Sequence, residues 1–139
     1  MKGSMKRQSN SEDHITIRFE DREGYLYAFF SGRRDNLADA IKFWRRAVDE
    51  CHTRAYKRLL VEEDFPVPLS TADIFYLATA ISKMPVPRLK IAFVDRDLEQ
   101  NDINMFAGTV AANRGVVGRI FTNVSDAEKY LTRSPTRSE

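Results

Sequence analysis

The chain has 139 residues, 42% of them hydrophobic and 11% aromatic, which is enough to enclose one ordinary core and too few for two. Its 22 basic and 20 acidic residues leave a formal charge of +2 and alternate along the chain (DREG, RRDN, KFWRRAVDE, VDRDLEQND). That interleaving argues against the continuous basic footprint of a nucleic-acid-binding protein. Cys51 is the one cysteine, so an internal disulfide and a cysteine-based metal cluster are excluded and a reducing, cytoplasmic setting is expected. No apolar run approaches the ~20 residues of a membrane span, so no integral membrane association is expected.

Residues 1–13, MKGSMKRQSNSED, carry charge without an apolar segment and read as a disordered tail, not a secretory signal. Residues 133–139 have the same polar character, which leaves residues 14–132 as a single domain. His14 to Glu20 alternates Ile15, Ile17 and Phe19 against Thr16 and Arg18, and Tyr25 to Ser31 is β-prone and aromatic. With Asp21 to Gly24 turning between them, the two runs predict a β-hairpin. Leu37, Ala40, Ile41, Trp44, Val48 and Cys51 then recur at helical spacing behind a capping pair, Asn36 and Asp39.

Leu59, Leu60 and Val61 form a solidly apolar strand of the kind buried on both faces. The loop EEDFPVPL follows, and Ser70 with Asp73 caps a second helix carrying Ile74, Leu77, Ala78 and Ile81 until Pro85 and Pro87 end it. Lys90 to Val94 predicts the next buried strand. A third helix follows with Ile103, Phe106, Ala107 and Val110 on one face and Gly115 as its stop. Arg119 to Phe121 predicts the last strand, and Ser125 with Glu128 reads as a capping box for a helix burying Ala127, Tyr130 and Leu131. The order ββαβαβαβα places the chain in the α/β class, a mixed sheet opened by a hairpin and completed by crossover helices.

The segments GYLYAFFSG, IKFWRRAVDEC, RLLVEEDFP, KIAFVDR and NMFAGTVAANRGVVGRIFTNVSDAEKYL resemble the bacterial SpoIIAA-like family of small domains, also described as STAS/SEC14-like. The resemblance covers about residues 14 to 132, and its most specific parts are the EEDFP loop and the ANRG helix stop followed by RIF. It implies a SpoIIAA/STAS-like fold and a non-enzymatic regulatory module that binds a protein partner. Related STAS domains are anti-sigma-factor antagonists, switched by phosphorylation of a serine at the start of the helix that follows a core strand. Ser70, or Thr71 beside it, occupies that place here. A helix N-terminus favours a phosphate electrostatically, whereas the three carboxylates of the preceding EED oppose one.

Each candidate residue also has an ordinary structural explanation. Ser70 is a good helix cap in its own right. Glu62, Glu63 and Asp64 end one strand and Asp95, Arg96 and Asp97 end the next, so the two groups are expected on the rim where open α/β sheets bind ligands. Carboxylates at strand ends equally cap helices and pair with arginines. Phe75 and Tyr76 fall off the apolar stripe of the second helix and, with Phe65 of the Pro-containing loop, are the candidate partner contacts, a second copy of the chain being one such partner. Cys51 lies on an apolar stripe and suits burial better than catalysis. The leading expectation is therefore an interaction module needing no cofactor. The alternative is a small-molecule or lipid-binding domain using the acidic rim. An enzyme would require Asp95 or Glu62 to carry a perturbed pKa inside a cleft.

Overall fold

Residues 14–133 are described here from a computed structural model; the tails expected at residues 1–13 and 133–139 lie outside it, apart from Arg133. Strand β1 (Ile15–Arg22) pairs antiparallel with β2 (Tyr25–Gly32) through a turn in which Gly24 takes φ +89°, a conformation side chains resist. Helix α1 (Leu37–Thr53), β3 (Arg58–Glu63), α2 (Thr71–Ser82) and β4 (Lys90–Asp95) follow. After a 3₁₀ turn (Leu98–Gln100) come α3 (Asn101–Asn113), β5 (Val117–Phe121) and α4 (Val124–Thr132). The result is a mixed α/β fold with one five-stranded sheet in the order β1-β2-β3-β4-β5, parallel from β2 onward.

Strand alternation decides which residues share a face. Leu26, Ala28 and Phe30 of β2, Leu59 and Val61 of β3, and Ile91 of β4 pack beneath α1 and α2 in the larger core. Their neighbours Tyr25, Tyr27, Leu60, Ala92 and Val94 face the other way and meet Ala127 and Leu131 of α4 in a smaller one. Phe43 and Ala47 of α1, beside the expected stripe, are also fully enclosed. Phe43 sits 5.1 Å from the Phe30 ring and 5.0 Å from that of Phe65.

Two local expectations change. Asn123, not Ser125, caps α4: its side-chain oxygen accepts from the Asp126 N–H at 2.8 Å, while Ser125 lies within the first turn. Phe106, expected on the inner face of α3, is 59% exposed and packs edge-on against Phe75 of α2. Ala107 does face inward as expected, with Asn104 and Gly108 beside it in place of Phe106. A Cβ on Gly108 would lie 3.0 Å from Ile120, so α3 approaches β5 too closely for a large side chain.

Candidate functional site

The acidic residues at the ends of β3 and β4 do not form one cluster, because adjacent strand residues point to opposite faces. Glu62 turns to the α4 side. There it accepts from the Tyr27 hydroxyl at 2.6 Å and from Arg96 Nε at 2.9 Å. Arg96 also reaches the exposed Asp64 at 3.3 Å, and its guanidinium lies 4.6 Å from the centre of the Phe29 ring. Burial first, and then the Glu62 carboxylate, push the Tyr27 phenol up to about 12. Glu62, Asp64 and Arg96 thus satisfy one another away from the remaining rim residues.

Glu63 and Asp95 turn to the opposite side, under α2 and α3. They are register partners on neighbouring parallel strands, and both are buried, at 8% exposure. Their carboxyls are within hydrogen-bonding reach of each other. The Glu63 pKa is raised to about 7 by burial above all, with Asp95 adding to the rise and Arg34 opposing it. Asp95 is held from both sides, by Asn104 Nδ2 at 3.0 Å and by the Asp97 backbone N–H at 2.9 Å. Asp97 spends its own carboxylate on the Glu99 N–H at the start of the 3₁₀ turn.

Arg34, between β2 and α1, completes this polar end. Its Nη1 reaches both Glu63 oxygens at 3.2 and 3.3 Å, its Nη2 donates to the Val67 carbonyl at 3.1 Å, and the guanidinium stacks 4.1 Å above the Phe65 ring. The side chain is only 6% exposed, yet its Nε has no hydrogen-bond partner. A buried donor left over in this way is uncommon in native structures.

The polar groups close one end of a cavity of about 120 Å³ between α2 and α3. Ile74, Leu77 and Ile81 of α2 wall one side, the small residues Ala107 and Gly108 of α3 the other, and Phe93 of β4 lies on its sheet side. Trp44, the single tryptophan of the chain, also lines it. The apolar stripe of α2 therefore faces a space it does not fill, which is why Ile74 and Leu77 remain partly accessible. Chemically, the arrangement offers an apolar chamber ending in two buried carboxyls, of which Glu63 exchanges a proton near neutral pH.

Of the residues singled out from sequence as site candidates, Glu63, Phe65, Asp95 and Asp97 line this cavity. At the cavity, the carboxyl whose pKa burial raises is that of Glu63. Phe65, expected at a partner surface, is 9% exposed and enclosed between Phe43 and Arg34. Phe75 is half-buried against Phe106, whereas Tyr76 is 64% exposed. Ser70 is exposed and its hydroxyl accepts from the Asp73 N–H at 3.1 Å, as a cap should; Thr71 beside it is exposed too. Arg34 and Asn104 were not visible in the sequence pattern. The small-residue spacing of Ala107, Gly108 and Ala111 was the available signal that a polar residue one turn earlier, Asn104, faces inward.

No family model matches the chain, and no curated protein matches it. Among solved structures, the NMR structure of the protein TM1081 is similar to it over 88% of this chain and 93% of that one, at 15% identity and a TM-score of 0.46. No helix among the described residues is long and apolar enough to cross a membrane.

Proposed function

We propose that this chain is a non-enzymatic small-molecule-binding domain whose site is the cavity between α2 and α3. The observation that carries the reading is the join of an apolar chamber to a buried, incompletely satisfied polar end. Such a chamber with a few convergent polar groups is the usual form of a ligand site. Its volume of about 120 Å³ sets the scale of the occupant. An engineered apolar cavity of ~150 Å³ holds benzene, so the buried part of the ligand is a short branched chain or one ring and not a whole acyl chain.

Trp44 in the cavity wall is a built-in reporter. Titration with isoamyl alcohol is expected to change its fluorescence saturably, and the change should vanish in Ala107→Phe, which fills the chamber from α3. A linear, unsaturable response in the native chain would remove the cavity as a site.

A second reading, resting on the SpoIIAA-like resemblance, is a STAS-like regulatory module that presents α2 to a protein partner, phosphorylated at Ser70 or Thr71. What supports it is exposure: Tyr76 at 64% and Val67 at 66% are large apolar side chains left open on α2 and the loop before it. A homodimer through the same surface belongs to this reading. Under it, Tyr76→Ala abolishes co-purification of a specific partner from a cytoplasmic extract without lowering the melting temperature. Undiminished recovery of that partner would rule out α2 as the contact.

A further inference from the structure

If the cavity binds a small molecule, as proposed, its charges also specify the chemistry of that molecule. Resting on that reading, we infer that the cavity takes a small primary amine, its ammonium group seated at the carboxyls of Glu63 and Asp95 and its hydrocarbon body lying between α2 and α3.

The charges around the chamber lead to this assignment. Glu63 from β3, Asp95 from β4 and Asp97 from the connection after it are the acids at the cavity. The basic residues along its lining are Arg34 and Arg119. Arg119, however, belongs to β5 with its guanidinium over the Phe121 and Tyr130 rings, at 5.6 and 5.5 Å, and those rings pack on the α4 side of the sheet. One guanidinium therefore faces two buried carboxyls. It is committed to Glu63 and to the Val67 carbonyl and cannot turn to Asp95 without abandoning them. The polar end is short of one positive charge.

A proton on Glu63 supplies that charge when no ligand is bound. An ammonium would supply it directly, with N–H donors for carboxylate lone pairs that Asn104 and the Asp97 N–H leave open. A carboxylate ligand would add a third negative group in a region of low dielectric, and a neutral alcohol would leave the deficit unchanged. A hard divalent ion would seek several oxygens at once, whereas the walls beyond the carboxyls are hydrocarbon. An amine with a short apolar body matches both halves of the chamber.

Three probes with one hydrocarbon body separate the outcomes: isoamylamine, isoamyl alcohol and isovalerate, each titrated against the full chain at pH 8 by Trp44 fluorescence and calorimetry. The amine remains charged there, since alkylammonium groups titrate near ~10. The amine is expected to bind at least about tenfold more tightly than the alcohol, with isovalerate the weakest. Calorimetry at pH 7 in buffers of different ionisation enthalpy should show the native chain releasing a substantial fraction of one proton per amine bound. Glu63→Gln should weaken the amine about tenfold and shrink its advantage over the alcohol. The proton count needs no variant, so it decides the matter even if Glu63→Gln misfolds. Equal affinities, a preference for isovalerate or absence of proton release would overturn the ammonium assignment while leaving the cavity as a site. Failure of all three probes to bind would remove the site itself.

Discussion

The proton on Glu63 makes a quantitative claim about stability. Its carboxyl rises from 4.5 to about 7 on folding, chiefly through burial. Between those values the folded chain holds a proton that the unfolded chain has lost. Stability from this group is thus fully present below pH 4.5 and is lost as pH climbs through 7. At about 1.4 kcal/mol per pH unit the loss is roughly 3 kcal/mol, a large share of the 5–15 kcal/mol typical of a domain. Glu63→Gln keeps the shape and a hydrogen-bonding acceptor for Arg34 but cannot ionise. Urea denaturation of both proteins from pH 4.5 to 9 should give curves that nearly meet in acid and separate upward, with the variant more stable at pH 9 by roughly 3 kcal/mol, at least about 1 M in midpoint. Carboxyls remote from Glu63 act alike in both proteins and cancel in the difference. Asp39 is one of these: burial pushes it up, but His14 and the Asp35 N–H outweigh this and hold it low. Cys51, pushed up to about 11 by burial, stays protonated throughout. If the two curves run parallel, Glu63 is not the buried acid described here.

Further outcomes follow from packing and capping. A Cβ on Gly118 would lie 2.7 Å from the Ile91 carbonyl oxygen, a backbone atom that cannot step aside. Gly118→Ala should cost about 1–3 kcal/mol, visible as a lower melting temperature; an unchanged melt would contradict the β4–β5 spacing. Asn123→Ala should destabilise by about 1 kcal/mol, whereas Ser125→Ala should be nearly neutral; the reverse order in denaturant would return the α4 cap to Ser125. Cys51, with no exposed surface, should react with an aromatic disulfide reagent only as fast as the chain opens. Prompt labelling of the folded protein would refute its burial.

Most of the fold was legible because its signals are local. The alternation of Ile15, Ile17 and Phe19, the apolar run Leu59 to Val61, and the spacing from Leu37 to Cys51 each determine an element without knowledge of the rest. The N-caps at Asn36 and Ser70 were legible for the same reason. Capping of α4 was not, because VSDAE after an asparagine offers two overlapping frames and packing of Ala127 and Leu131 selects between them. Phe106 misled for a different reason. Hydrophobicity predicts an inward face for α3, but its distance from β5 is set by Gly108 against Ile120. At that separation the small side chains go inward and the ring stays outside on Phe75.

The site was legible only to the level of a rim. That β3 and β4 both end in acids at the carboxyl edge of a parallel sheet can be read from sequence, and strand parity alone separates Glu62 from Glu63. Which of the two faces the chamber depends on where α2 and α3 lie, a tertiary fact. Arg34 was beyond reach for a deeper reason. RRDN resembles any solvated charge cluster, and its neighbour Arg33 does sit in the open, paired with Asp35 at 2.9 Å. Arg34 is drawn inward because Phe65 folds back to meet its flat face and Glu63 its edge. Phe65 therefore helps place the cation of the site. The FPVP loop, read from sequence as a surface for a partner, thus supplies both an inner residue, Phe65 beneath Arg34, and an exposed one, Val67 at 66%.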